Sequence, residues 1–304
     1  MRALVADPDA PGGIAIQEVA EPEAAGGEAI VDVHAISLNR GELNRLRAAA
    51  AGWRPGWDIA GTVRAAAAGS PTVGARVVGV LTGGAWTERV AVPGDWLAEL
   101  PAEVSFSQAA ALPVAGLTAL RTLRLGPAIL GRRVLVCGAA GGVGRFAIQL
   151  ASLGGADVTA IAGSPERAEG LRELGAREVV TDLDELQGRF DLILESAGGD
   201  SLGRLATMVH PDGTLVMFGN SSRQPTTFNV SEVYLSGAVR LQGFMLFHGL
   251  AADPPGRDLD YLAGLVAGGR LDPHVAGELP WTEMPEALRR LADRAVPGKL
   301  VLTL

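Results

Sequence analysis

The chain has 304 residues, a formal net charge of −8, 48% hydrophobic and 20% charged residues. That length holds two modest domains with a large core, and an acidic balance without a basic block excludes nucleic acid or an anionic membrane as the main partner. No apolar run reaches the ~18 residues of a membrane helix, residues 1–7 carry no secretory h-region, and the single cysteine, Cys137, excludes an internal disulfide or a cysteine zinc cluster, so a cytoplasmic protein is expected.

The first hundred residues carry short β-like runs at 29–36, 59–63, 76–80 and 87–92. Gly83-Gly84 and Pro93-Gly94 punctuate them. One helix is predicted from about residue 40 to 50. Together these predict an irregular, mostly antiparallel β domain. After Pro113 a helix is predicted over 117–125.

An apolar strand at 134–137 then runs into the glycine turn Gly138-Ala-Ala-Gly-Gly-Val-Gly144, and the turn runs into an amphipathic helix from Gly142. Gly138, Gly141 and Gly144 fall at GxxGxxG spacing. Such a turn brings backbone close to a pyrophosphate at the positive end of a helix dipole. Ala140, Gly141, Gly142 and Val143 are therefore expected to hold a dinucleotide. Strands at 158–162, 178–181, 191–194 and 214–218 alternate with helices from Pro165 and near 201–208. That βαβ order predicts a parallel sheet, with a strand at 239–245 closing one edge. The tail, 258–304, reads as two helices and a final strand at 299–304, which is expected to return to the N-terminal β domain. Cys137 is expected to be a small buried residue.

Six motifs follow one another along the chain: Pro55-Gly-Trp-Asp-Ile-Ala-Gly61, Gly83-Gly-Ala-Trp-Thr-Glu88, Ala110-Ala-Leu-Pro-Val-Ala-Gly-Leu-Thr-Ala119, the glycine turn, Asp212-Gly-Thr-Leu-Val-Met-Phe-Gly219 and Gly298-Lys-Leu-Val-Leu302. In this order, over nearly the whole length, the chain resembles the medium-chain dehydrogenase/reductase superfamily, in its quinone-oxidoreductase-like branch. The resemblance implies an α/β protein: a GroES-like β domain (1–112 and 249–304) with an inserted, doubly wound Rossmann domain (113–248).

Zinc-dependent members of that superfamily carry ligands at positions that align here with Asn39, Trp57 and Ala115. None is a good zinc ligand, since zinc takes thiolate, imidazole or carboxylate, and Asp58 alone makes no site. A zinc-independent reductase is expected.

NAD sites usually place an acid ~20 residues past the glycines, on the ribose hydroxyls. Here the second strand runs out through Gly163 and Ser164 with no acid. Ser164 can donate to a phosphate, Arg167 supplies charge one turn on, and Glu166 is expected to point elsewhere. NADP is the expected cofactor. Ser164 also suits an N-cap, with Pro165 at the first helical position. Other cofactor contacts are implied by the resemblance alone. Asn39 and Thr118 match positions near the nicotinamide, Gly219 one beside the ribose, and Phe244, Met245 and Leu246 a segment along the nicotinamide amide. Asn39 is the candidate catalytic residue.

The resemblance implies hydride transfer to a quinone, an enone or an enoyl thioester, with the cofactor supplying the hard step. Relatives carry a tyrosine after the Asn39 position, discussed as a proton donor; this chain reads Asn39-Arg-Gly-Glu-Leu-Asn-Arg45 there. Arg40, Glu42 and Asn44 are polar candidates that equally suit a solvated helix face. His248 is expected to be structural or exposed. Trp53 and Trp57 suit either an aromatic wall for a planar substrate or core packing. Two alternatives stay open. One is a pathway-specific enoyl reductase acting on a carrier-bound chain, met by a basic rim of Arg45, Arg47 and Arg54. The other is a non-catalytic NADPH-binding structural or regulatory protein. The apolar strand ending in residues 239–246 needs a partner if it lies at a sheet edge, so a homodimer through the Rossmann sheet edge is expected.

Overall fold

The computed structural model describes residues 1–304, which form two compact units: Met1–Leu117 with Phe247–Leu304, and Thr118–Leu246.

In the first unit, β1 (Arg2–Ala6) and β2 (Ile14–Glu18) pair antiparallel. There follow β3 (Glu28–Ser37), α1 (Arg40–Leu46), β4 (Asp58–Ala65), β5 (Arg76–Val80), β6 (Arg89–Pro93), β7 (Leu97–Glu99), α2 (Phe106–Ala110) and α3 (Pro113–Leu123), whose end lies in the second unit. Along β3, Ala29, Val31, Val33 and Ala35 are buried on alternate positions, the period of a strand with one covered face. The helix expected over 40–50 stops at Leu46. Ala48 and Ala49 bond back to the third carbonyl before them, tightening the chain into turns, and Gly52 reverses it at φ +88°.

The second unit holds β8 (Arg133–Cys137), α4 (Gly142–Leu153), β9 (Asp157–Ile161), α5 (Pro165–Ala168), β10 (Glu178–Val180), β11 (Phe190–Glu195), α6 (Gly199–Ala206), β12 (Val209–Met217), α7 (Val230–Tyr234) and β13 (Arg240–Gly243). Its six strands are all parallel, in the order β10-β9-β8-β11-β12-β13. Strands covered on both faces read as continuous apolar runs, as Val134, Leu135 and Val136 do. The chain reverses direction across the sheet between β8 and β11, the switch point at which such sheets bind ligands beyond their carboxyl ends. The helix expected from Pro165 is a single turn, ended by extended Glu169 and by Gly170 at φ +74°.

The chain then returns through α8 (Leu246–Gly249), α9 (Gly256–Ala267), β14 (Val275–Pro280), α10 (Met284–Ala292) and β15 (Lys299–Thr303). β15 lies antiparallel to β3, with Leu302 opposite Ile36, as expected of the last strand. β14, absent from the expected elements, runs parallel to β15. The first unit's sheet reads β14-β15-β3-β4-β5-β7, with β6 on β3.

Candidate functional site

In the second unit, the glycine turn joins β8 to α4. Gly138 sits at φ +75°, and a Cβ on Gly144 would lie 2.5 Å from Gly138 O and 2.6 Å from Ala139 Cα. Only glycine lets the helix start this close to the strand. Gly141 is the N-cap and offers no side-chain acceptor, and the first turn carries no acid. Gly141, Gly142 and Val143 are partly exposed and Ala140 is buried. The start of this twelve-residue helix therefore fits an anionic pyrophosphate.

Arg145, not singled out from sequence, lies beneath the turn. It is 4% exposed, and its Nη2 donates to Glu169 O at 3.2 Å. It fixes the turn against the end of α5 with a buried positive charge. The signal was there: an arginine directly after the third glycine.

β9 delivers Gly163 and Ser164 to the start of α5, beside Arg167. Ser164 occupies the N-cap position, but its side chain bonds no helix N–H. Glu166, expected to point elsewhere, instead accepts a hydrogen bond from the Ser164 hydroxyl, which holds its carboxyl below the usual range. Ser164, Glu166 and Arg167 thus share one short turn.

β11 and β12 supply the other wall. Ser196 donates to Cys137 O at 3.2 Å. Phe218 and Ser221 bond to the carbonyls of Glu195 and Ser196, which sets Gly219 against the end of β11. Glu195 is fully buried and accepts from the amides of Ala197 and Gly198. Phe244 N donates to Met217 O at 2.8 Å, so Phe244, Met245 and Leu246 continue beyond β13. Met245 is exposed and Leu246 buried. Thr118 is buried on α3, where its carbonyl accepts from the Thr122 hydroxyl. Cys137 is buried, and burial pushes its thiol up to about 12, which leaves it an inert core residue.

The first unit carries a second cluster, around Asn39 at the β3–α1 junction. Asp58, at the start of β4, is fully buried. Its Oδ2 accepts from Ser37 Oγ at 2.6 Å, Asn39 Nδ2 at 2.8 Å and Lys299 Nζ at 3.3 Å; its Oδ1 accepts from Val114 N at 2.9 Å. Lys299 also donates to Asn39 Oδ1 at 2.7 Å and Leu38 O at 3.0 Å. Glu42 Oε2 accepts from Asn39 N at 2.7 Å and Asn39 Nδ2 at 3.3 Å, while its Oε1 is buried without a partner. Both N–H groups of the Asn39 amide are therefore taken.

Burial pushes the Glu42 carboxyl well above its ordinary range, and the nearby Asp58 charge adds to this; Lys299 opposes it. The solvated reading thus holds for Arg40 and Asn44, which are exposed, and fails for Glu42. From sequence, Asp58 alone makes no site; in the fold it is the acceptor on which the cluster is built. Trp57 is buried, with its ring centre 4.8 Å from that of Phe247, and Trp53 packs on the core of this unit. His248 is exposed.

The three positions matched to zinc ligands do not fit the metal. Asn39 is bonded to Asp58, Glu42 and Lys299, Trp57 presents only an indole N–H, and Ala115 has no donor.

Two family models match the chain: alcohol dehydrogenase GroES-like domain over residues 25–102, and zinc-binding dehydrogenase over 142–258. A quinone oxidoreductase of Pseudomonas aeruginosa is 31% identical over 233 residues, covering 72% of this chain and 71% of that protein. The spectinabilin polyketide synthase system protein NorB of Streptomyces orinoci is 34% identical over 264 residues, or 82% of this chain; the chain spans 12% of NorB. Among solved structures, the Escherichia coli quinone oxidoreductase complexed with NADPH superposes with a TM-score of 0.87 at 25% identity, over 100% of both chains.

Proposed function

The chain belongs to the quinone-oxidoreductase-like branch of the medium-chain dehydrogenase/reductase superfamily, and from that premise we propose that it is a zinc-independent, NADPH-dependent reductase of a quinone or an activated carbon–carbon double bond. One observation carries the reading: a glycine turn at the sheet's switch point, followed by Ser164 and Arg167 where NAD sites usually present an acid to the ribose. The likeness to the Escherichia coli enzyme complexed with NADPH supports the same cofactor.

NADPH supplies a hydride when bound. The amides that open α4 would hold its pyrophosphate, Arg145 would add positive charge beneath them, and Arg167 with Ser164 would meet the 2′-phosphate. Asn39 is held in one orientation by Asp58, Glu42 and Lys299. For an enone, the hydride goes to the β-carbon. A proton from water then reaches the α-carbon, since no tyrosine stands in the segment after Asn39. The likeness to NorB supports a second acceptor, an enoyl thioester on a carrier. A homodimer through β13 is part of the reading; it is supported by that strand's place at the sheet edge and by exposed Leu241.

A panel of quinones, enones and enoyl thioesters tests the proposal by following NADPH oxidation. Turnover of at least one class is expected. NADPH binding without turnover of any of them would sink it.

A further inference from the structure

Arg54 opens the segment Arg54-Pro-Gly-Trp-Asp58, which leads into β4. The segment is pinned along its length. Arg54 O accepts from Gly84 N at 3.0 Å, Pro55 O from Trp86 N at 3.2 Å, and Trp57 O from Leu81 N at 2.8 Å. The Arg54 backbone is thus held in fixed relation to Asp58, the acceptor at the centre of the Asn39 cluster. Four residues of chain separate the two, about 13 Å at full extension.

The Arg54 side chain is half-buried, and its Nε is sealed from solvent with no hydrogen-bond partner. Burial draws its guanidinium below the ordinary arginine range, and no acidic group offsets that. A partly desolvated cation without a counter-ion is unfavourable, and native chains rarely keep one unused. Guanidinium's planar fork matches carboxylate and phosphate oxygens. Elsewhere in this unit the exposed Arg45 lies over Trp57, its guanidinium carbon 5.9 Å from the ring centre.

We propose that Arg54 binds an oxyanion, either a carboxylate or a phosphate, carried by the hydride acceptor. This names the substrate class of the reductase reading and rests on it. The acceptor's anionic end sits on Arg54. The reduced product keeps the anion, so the reaction itself consumes only hydride and one proton.

Two matched pairs of acceptors test this with the full chain. Cinnamaldehyde against 4-carboxycinnamaldehyde reads a carboxylate. Crotonyl pantetheine against crotonyl 4′-phosphopantetheine reads a phosphate. In at least one pair, wild-type kcat/KM for the anionic member should exceed the neutral one by about tenfold, the worth of a charge-assisted hydrogen bond. In R54Q that ratio should fall to about one, and R54K should retain part of it. Titration of the NADP-saturated wild-type protein with benzoate, benzamide and inorganic phosphate stands apart from how the variants fold. At least one anion should bind, and benzamide should not.

No wild-type preference in either pair, or an equal loss in R54Q on both members of a pair, overturns the anion site while turnover keeps the reductase reading. Anion binding that depends on Arg54, with no turnover of any acceptor, keeps the site and overturns the reading. Neither binding nor turnover overturns both.

Discussion

Lys299 Nζ stands 2.7 Å from Asn39 Oδ1, joining the first residue of the last strand to the β3–α1 junction across 260 residues of chain. The same ammonium reaches Asp58 at 3.3 Å, and both side chains are almost fully buried. The C-terminal return therefore does more than fill a sheet position. It sets the orientation of the Asn39 amide, because Oδ1 faces the cation and Nδ2 faces the carboxyl groups of Asp58 and Glu42.

Replacing Lys299 by methionine keeps the volume and removes the charge. Asp58 then loses its cation while remaining buried, a change that typically costs about 3–5 kcal/mol. Urea denaturation of K299M should show a loss of that size, together with a fall in NADPH oxidation. A loss below about 1 kcal/mol would mean the pair is structurally idle.

Glu42 gives stability a distinct pH dependence. In the unfolded chain it ionises above about pH 4.3; in the folded chain burial holds it protonated to well above that. The folded state then binds the extra proton, so stability falls as pH rises from the ordinary carboxylate range towards the raised folded value. E42Q lacks this proton. Denaturation midpoints at several pH values should show wild type losing stability relative to E42Q as pH rises. Parallel curves would show that Glu42 is ionised in the fold.

Arg167 is expected to read the 2′-phosphate, with Ser164 exchanging its bond to Glu166 for one to the phosphate. R167A should weaken NADPH by about tenfold or more, in line with a lost charge-assisted hydrogen bond, and leave NADH affinity nearly as it was. Fluorescence titration of both cofactors gives the comparison. Equal weakening of both would remove Arg167 from that role.

β13 ends the parallel sheet, with Leu241 38% exposed on it. Tyr234, Leu235 and Met245 are more exposed still, in segments just before and after it. Strand-to-strand pairing of two copies would cover this edge. Light scattering after size exclusion should give a dimer for wild type and a monomer for L241R. A monomeric wild type at micromolar concentration would contradict the pairing.

What was legible from sequence was local. The glycine turn announces itself because strand, turn and helix fall within twenty residues, and the parallel sheet follows from its βαβ rhythm. The final strand's return to the β domain was readable from its isolation after the tail helices. The Asn39 cluster was not readable. Lys299 sits in an apolar strand motif, and nothing in its neighbours points to a partner 260 residues away. Glu42 lies on a seven-residue helix, too short to show which face is covered, and an acid in a first turn reads naturally as solvated. β14 was missed because Gly277 and Pro280 interrupt its strand pattern. The Ser164–Glu166 bond was missed because α5 was expected to continue, which would have carried Glu166 away.

The central claim is hydride transfer from NADPH to an activated carbon. NADPH carrying deuterium at the transferable C4 position, incubated with the protein and an enone that it turns over, tests this directly by NMR of the product. The account predicts deuterium at the β-carbon and a solvent proton at the α-carbon. Solvent hydrogen at the β-carbon, or NADPH consumed without any deuterium in the product, would contradict it.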